Sequence, residues 1–140
     1  MKILVIDGQG GGVGKQLCLH IKKNFPAVTL TAVGTNTLAA TAMLKGGADQ
    51  AATGENAVIV ACRKADLIVG PLGIVVADSL LGEITPAMAQ AVARSDAKRI
   101  LLPFHHCDNI IVGVSDFSLT KLLEQTVQEI RNILENGQPR

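Results

Sequence analysis

The residues whose spacing suggests chemistry most directly are five glycines within seven positions near the start of the chain. They follow an apolar run at residues 3–6 and the carboxylate of Asp7, and a helical pattern begins directly after them. A buried strand, a tight turn and a helix N-terminus in this order bind phosphate, because backbone N–H groups and the helix dipole both attract anions. The sequence therefore predicts a phosphate-binding loop made of Gly8, Gln9, Gly10, Gly11, Gly12, Val13 and Gly14.

Two dinucleotide spacings can be compared with this loop. The pattern G-x-G-x-x-G fails from Gly8, because Val13 stands where its third glycine belongs. The pattern G-x-x-x-G-x-G fits Gly8, Gly12 and Gly14, and in this the loop resembles the cofactor loop of short-chain dehydrogenases. The resemblance covers only the first strand, loop and helix, and the chain has no tyrosine to match the catalytic one of that family. It implies a cofactor loop without the dehydrogenase reaction.

The same segment also resembles the phosphate loop of partitioning-type ATPases, through Gly11-Gly12-Val13-Gly14-Lys15. Gln9 replaces the first glycine of that motif, and Gln16 stands where Ser or Thr would bind Mg²⁺. We therefore do not expect hydrolysis of a nucleoside triphosphate. The alternative to any phosphate loop is a glycine turn that serves only close packing of the strand on the helix.

The choice of cofactor depends on the end of the second predicted strand, which reads Val33-Gly34-Thr35-Asn36. NAD-binding domains usually carry Asp or Glu here, which binds the ribose 2′-hydroxyl. Its absence weakens the case for NAD and leaves room for a 2′-phosphate beside Thr35 and Asn36, although a mononucleotide or a sugar phosphate fits equally. An ordinary helix cap at Asn36 or Thr37 is the alternative. The expected ligand is NADP or another nucleotide, close to Gly34, Thr35 and Asn36.

A second group of versatile side chains is Phe104-His105-His106-Cys107-Asp108-Asn109. Such residues could bind a metal, or a Cys–His pair could act as nucleophile and base, with Cys107, His106 and Glu55 in acid–base or nucleophilic catalysis. Neighbouring residues rarely point at one ion, however, and no second ligand set with a recognised spacing exists. A polar loop that lines the ligand pocket is the preferred interpretation, so no metal is expected and catalytic residues stay unassigned.

The elements that position these residues alternate between strands and helices. Strands are predicted at residues 3–6, 28–33, 48–52, 67–69 and 100–102, and a last one at 109–114 that must be antiparallel or irregular. Helices are predicted at 12–25, 38–45, 54–64 and 85–95 and after Ser118, with a short helix and loop at 74–84. This order predicts an α/β Rossmann-like three-layer domain over residues 1–140, with about five to six mostly parallel strands and helices on both faces.

In such a fold, ligands bind beyond the carboxyl ends of the strands. The glycine loop, residues 34–36, residues 53–56 and residues 103–109 all fall there. Gly70-Pro71-Leu72-Gly73 is interpreted as a turn at the same edge, where Gly70 and Pro71 would let a ligand approach the backbone closely. Thr53 is predicted to cap the helix that contains Glu55.

Composition limits the other classes of partner. A net charge of +1, with no Trp, no Tyr and only three Phe, argues against nucleic acid and against an anionic membrane surface. Three widely spaced cysteines suit a reducing compartment, so we expect a cytoplasmic protein. Because 48% of the residues are hydrophobic, some apolar surface is expected to be buried in a homo-oligomer.

Several stretches together resemble a family of short bacterial proteins of unknown function with a Rossmann-like fold. They are Ile6-Asp7-Gly8-Gln9-Gly10-Gly11-Gly12, Val33-Gly34-Thr35-Asn36, Ala52-Thr53-Gly54-Glu55-Asn56-Ala57, Gly70-Pro71 and Gly82-Glu83-Ile84-Thr85-Pro86. The resemblance implies a stand-alone domain and no particular activity. His105-His106 departs from it.

The leading hypothesis is a nucleotide- or dinucleotide-binding protein whose residues 8–14 hold the phosphate. One alternative is a small cytosolic enzyme that uses residues 105–109. The other is a non-catalytic, oligomeric interaction protein in which the glycine loop is purely structural.

Overall fold

A computed structural model describes residues 1–104, 109–114 and 118–137, which build a five-stranded sheet between two layers of helices. The sheet order is β3-β2-β1-β4-β5, and every neighbouring pair is parallel. The predicted α/β Rossmann-like three-layer fold is confirmed. Along the chain the elements are β1 Lys2–Asp7, α1 Gly12–Asn24, β2 Thr29–Gly34, α2 Thr37–Lys45, β3 Gln50–Thr53, α3 Glu55–Lys64, β4 Leu67–Pro71, a 3-10 turn Leu72–Val75, α4 Pro86–Arg94, β5 Lys98–Leu102 and α5 Leu119–Glu135.

The central strand β1 is apolar on both faces because helices cover both sides of it. Ile3 and Val5 pack into a core with α1, α2 and α5, whereas Leu4 and Ile6 pack into a second core with α3 and α4. All four side chains are at most 1% exposed. This is the reason that the strand reads as a continuous apolar run rather than as an alternating one.

Three described helices begin with a side-chain cap, one of them at Asn36, where the sequence predicted it. The side chains of Asn36, Thr85 and Ser118 accept hydrogen bonds from the first turns of α2, α4 and α5. The predicted cap at Thr53 is wrong, because this residue ends β3 and α3 instead begins after Gly54, whose φ of 99° suits glycine. Helix starts could be predicted well because the signal is local.

The segment at residues 109–114 takes the irregular form that the sequence left open. It contains a turn in which the Val114 N–H donates to the Ile111 carbonyl, and Ile110 and Val112 are 90% and 94% exposed. About six residues after β5 are too few for a right-handed crossover to a parallel neighbour. Its β-branched residues pair with none of the five described strands, and their intrinsic preference does not decide the structure.

The predicted turn at residues 70–73 is wrong in its first half. Gly70 and Pro71 are the last residues of β4, both are buried, and the turn begins at Leu72. A Cβ atom on Gly70 would lie 2.6 Å from the Ile6 carbonyl oxygen of β1. The glycine therefore permits the close approach of two central strands.

We expect Gly70→Ala to lower the free energy of unfolding by about 1–3 kcal/mol, because backbone on a central strand cannot move aside easily. Urea denaturation measures the change. Gly10→Ala is the matched control, since its Cβ would meet none of the residues that the structure describes within 4 Å, and it should stay within about 0.5 kcal/mol of wild type. Equal stability of Gly70→Ala and wild type would contradict the packing account.

Candidate functional site

The glycine loop is held at both ends by the side chain of Asp7. This residue ends β1 and is 5% exposed. Its Oδ1 accepts a hydrogen bond from the Gly8 N–H at 2.8 Å, and its Oδ2 accepts one from the Gly14 N–H at 2.7 Å. The first N–H groups of a helix have no acceptor within the helix. Asp7 therefore caps α1 from the end of the preceding strand, a favourable place for negative charge.

Three glycines of the loop have a packing reason. A Cβ on Gly8 would lie 2.7 Å from Thr35 Oγ1, and one on Gly14 would lie 2.5 Å from Met43 Sδ. Gly11 has a φ of 73°, and its Cβ would lie 2.7 Å from the Cα of Ala39. These positions bring β1, α1 and α2 into close contact. For Gly8, Gly11 and Gly14 the purely structural interpretation is therefore sufficient.

Gly10 and Gly12 differ from the other three. Both are exposed, a Cβ on either would meet no atom of residues 1–104, 109–114 or 118–137 within 4 Å, and neither has a φ in the left-handed region. Neither packing nor backbone conformation therefore requires glycine at these two positions. The N–H groups of Gly10, Gly12 and Val13 donate to no residue within the described ranges. The loop thus presents open backbone donors at the N-terminus of α1.

A second carboxylate, that of Glu83, joins this loop to the end of β2. Its Oε1 accepts hydrogen bonds from the Gln9 N–H at 2.8 Å, from Asn36 Nδ2 at 2.9 Å and from Thr35 Oγ1 at 2.5 Å. Asn36 Nδ2 also donates to the Gln9 carbonyl at 2.9 Å, while its Oδ1 accepts from the Ala39 N–H and caps α2. The two loops that were predicted to bind the ligand are therefore in direct contact.

The pKa of Glu83 reflects two opposing effects. Partial burial raises it, but the hydrogen bonds from Thr35, the Gln9 N–H and Asn36 outweigh burial and hold the pKa below its ordinary value. Glu83 is therefore ionised at neutral pH. Sequence reasoning missed its role because it lies 47 to 74 residues from these partners, and no local spacing relates them.

The segment that presents Glu83 contains several unusual backbone angles. Asp78, Leu80 and Leu81 have φ values of 67°, 55° and 57°, in the region that L-residues rarely adopt, and Gly82 follows at 88°. Leu80 is buried, and its Cδ1 would lie 3.1 Å from a Cβ on Gly8. The predicted short helix and loop at 74–84 is thus a series of tight turns after the 3-10 turn. Such strain persists only where surrounding contacts hold it.

Other predicted site residues have structural partners. A Cβ on Gly34 would lie 2.5 Å from the Ala40 nitrogen, so this glycine lets α2 start close to β2. Glu55 accepts a hydrogen bond from Thr85 Oγ1 at 2.6 Å, which joins the starts of α3 and α4. The binding roles of Gly34, Gly70 and Pro71 stay predictions. His105, His106, Cys107 and Asp108 lie outside the described residues, so their predicted role in the pocket also stays a prediction.

The two described cysteines are buried thiols. Burial raises the pKa of Cys18 to about 12, with a further contribution from the charge of Asp7, and burial raises the pKa of Cys62 to about 11. Both thiols stay protonated at neutral pH and are poor nucleophiles. Any cysteine chemistry would therefore have to use Cys107.

Three further features concern the described part of the chain. No group of three or more His, Cys, Asp or Glu side chains is placed there to hold a metal ion. No described helix has the length and apolar character needed to cross a membrane. A groove of about 370 Å³ lies between α3 and strands β1 to β3, and residues that line it include Lys2, Thr29 and Ala65 near the strand starts, away from the glycine loop.

The fold and the site together define an α/β protein with a glycine-rich loop at the carboxyl edge of a parallel sheet. The family model described as "Domain of unknown function (DUF3842)" matches residues 2–135, and the chain belongs to this family. The resemblance to an α/β family of unknown function is confirmed to that extent.

No curated protein matches the chain in sequence. Among solved structures, the chain is similar to a dodecameric FMN-dependent Ubix-like decarboxylase from Escherichia coli O157:H7, with a TM-score of 0.44 and 14% sequence identity. The similarity covers 96% of this chain and 94% of that one. At this distance it carries no inference about cofactor, activity or assembly.

The lowered pKa of Glu83 predicts a specific pH dependence of stability. Its carboxyl binds a proton more weakly in the folded chain than in the unfolded one, where the pKa is near 4.5. Its stabilising contribution is therefore complete above that value and is lost as pH falls through the lower folded pKa.

Glu83→Gln should accordingly show a flatter fall in the free energy of unfolding between about pH 6 and about pH 3 than wild type. Urea denaturation at a series of pH values measures both slopes. Asp49, whose pKa is also lowered, is present in both proteins and cancels from the comparison. Identical slopes would show that Glu83 is not held as described.

Proposed function

We propose that the chain binds a nucleotide or dinucleotide whose phosphate is held by residues 10–13 at the N-terminus of α1. The observation that supports this most is the difference between the glycines of the loop. Gly10 and Gly12 have open space at the Cβ position among the described residues, and no described feature of the fold requires glycine there. A ligand that approaches the backbone closely would require them, since any side chain would occupy its place.

The charges around the loop favour a ligand with few phosphate charges. Asp7 and Glu83 already accept hydrogen bonds from the N–H groups of Gly8, Gln9 and Gly14. The donors that remain are those of Gly10, Gly12 and Val13, at a helix end with no acidic residue in its first turn. One phosphate or a diphosphate ester can use these donors. A triphosphate would add charge next to two carboxylates and would lack the Mg²⁺ ligand that is missing at Gln16.

The rest of the ligand would lie along the carboxyl edge of the sheet. Thr35 and Asn36 at the end of β2 would adjoin the ribose, and the end of β4 at Gly70 and Pro71 would border the same crevice. NADP, NAD and a mononucleotide are the candidates. We also expect a cytoplasmic homo-oligomer, on the basis of the composition.

A non-catalytic interaction protein is the second candidate, favoured by the nearly complete exposure of Ile110 and Val112. Exposed apolar residues that lie together often mark contacts between proteins. In that case the glycine loop would only serve packing, and Gly10 and Gly12 could be replaced without any effect on ligand binding.

Gly12→Ala separates the two candidates. The added methyl group should weaken nucleotide binding about tenfold or more, since it would intrude on the phosphate site, while the free energy of unfolding should stay equal or rise by about 0.4–1 kcal/mol. Calorimetric titration with AMP, FMN, NAD, NADP, ATP and GTP gives the affinities. Because the chain has no Trp or Tyr, a co-purified nucleotide would also dominate its absorbance near 260 nm.

Gly14→Ala is the comparison variant, and it should be destabilised because its Cβ would lie 2.5 Å from Met43 Sδ. Gly14→Ala thus provides a reference for a variant that loses stability through a packing clash, which Gly12→Ala should not do. If wild type binds none of these nucleotides, or if Gly12→Ala binds them as tightly as wild type, the proposal is wrong.

A further inference from the structure

We propose that Glu83 makes this site selective for a ribose with a free 2′-hydroxyl and against a ribose with a 2′-phosphate. The inference rests on the proposed nucleotide-binding function and adds the class of ligand. The site is thus proposed to bind NAD or AMP more tightly than NADP. The sequence by itself favoured the opposite choice, because β2 ends without a carboxylate.

Glu83 supplies the carboxylate that the end of β2 lacks. In dinucleotide-binding domains of this topology, an acidic residue at the end of the second strand accepts hydrogen bonds from the ribose hydroxyls. Here Glu83 reaches the same place from the connection between β4 and α4, where its Oε1 contacts Thr35 Oγ1 and Asn36 Nδ2. A tertiary contact thus provides what the local sequence does not.

The two donors that could have held a 2′-phosphate are used by Glu83. Thr35 Oγ1 and Asn36 Nδ2 both donate to its carboxylate. A 2′-phosphate at this position would find both donors already occupied, and it would lie close to the negative charge of the carboxylate. A ribose hydroxyl, in contrast, can donate a hydrogen bond to a carboxylate oxygen.

No positive charge compensates for the carboxylate among the contacts that the structure describes. The groups that hold Glu83 are a backbone N–H, a hydroxyl and a carboxamide. Asp7, at the other side of Gly8, adds a second carboxylate to the same loop. NADP-binding domains commonly place an arginine where the 2′-phosphate lies. The contacts of Glu83 and Asp7 have the reverse character, since they present negative charge at this place.

The first test uses the wild-type protein and needs no variant. Calorimetric titration compares NAD with NADP, and 5′-AMP with adenosine 2′,5′-bisphosphate. The 2′-phosphorylated member of each pair should bind about tenfold more weakly or worse, because of charge repulsion at short range. Equal or tighter binding of the 2′-phosphorylated members overturns this inference and leaves the proposed function intact. If no member of either pair binds but FMN, ATP or GTP does, this inference fails and the proposed function stands; if none of these nucleotides binds, both fail.

The second test is Glu83→Gln, which keeps an oxygen acceptor and removes the charge. It should bind NADP more tightly than wild type does, so that the preference for NAD falls from about tenfold toward parity. Asp49→Asn is the matched control: Asp49 also has a lowered pKa and accepts from the Leu30 N–H, but it lies near the strand starts at the opposite edge of the sheet. It should keep the wild-type ratio. An unchanged ratio in Glu83→Gln, or the same change in both variants, overturns the inference.

Discussion

The structure depends on the position of the Asp7 carboxylate, which lies between the end of the central strand and the start of the first helix. It accepts hydrogen bonds from the N–H groups of Gly8 and Gly14, so both ends of the glycine loop are held by one side chain. A carboxylate at a helix N-terminus interacts favourably with the helix dipole, and paired N–H donors offset its burial. One side chain therefore fixes the shape of the loop between residues 8 and 14.

This arrangement divides the glycines of the loop into two groups. Gly8, Gly11 and Gly14 allow β1, α1 and α2 to approach each other, since a Cβ at each would lie within 3 Å of a neighbouring atom. Gly10 and Gly12 have no atom of the described residues near the Cβ position. A glycine-rich loop is often explained entirely by packing or entirely by ligand binding. In this protein packing accounts for Gly8, Gly11 and Gly14. The proposed phosphate site would account for Gly10 and Gly12, so the two explanations can be separated by substitution.

Glu83 connects the loop to the rest of the carboxyl edge. It is presented by turns in which Leu80 and Leu81 have positive φ values, a conformation that is unfavourable for these residues. The burial of Leu80 and the three hydrogen bonds to Glu83 help to hold that conformation. Strain of this kind is common at functional sites. The strained turns place the Glu83 carboxylate beside Thr35 and Asn36, which would contact the ribose of the proposed ligand. The negative charge of Glu83 would therefore affect which ligand binds.

The sequence by itself determined the order of elements, the three-layer fold and the position of the glycine loop. These follow from local signals: apolar runs as in β1, caps such as Asn36, Thr85 and Ser118, and glycines between a strand and a helix. Only the tertiary structure decided which glycines have room beside them, that Gly70 and Pro71 complete β4, and that Glu83 meets Thr35 and Asn36. The physical reason is that clashes, strand pairing and long-range hydrogen bonds depend on atoms distant in sequence. A local pattern describes the loop, but not what lies opposite it.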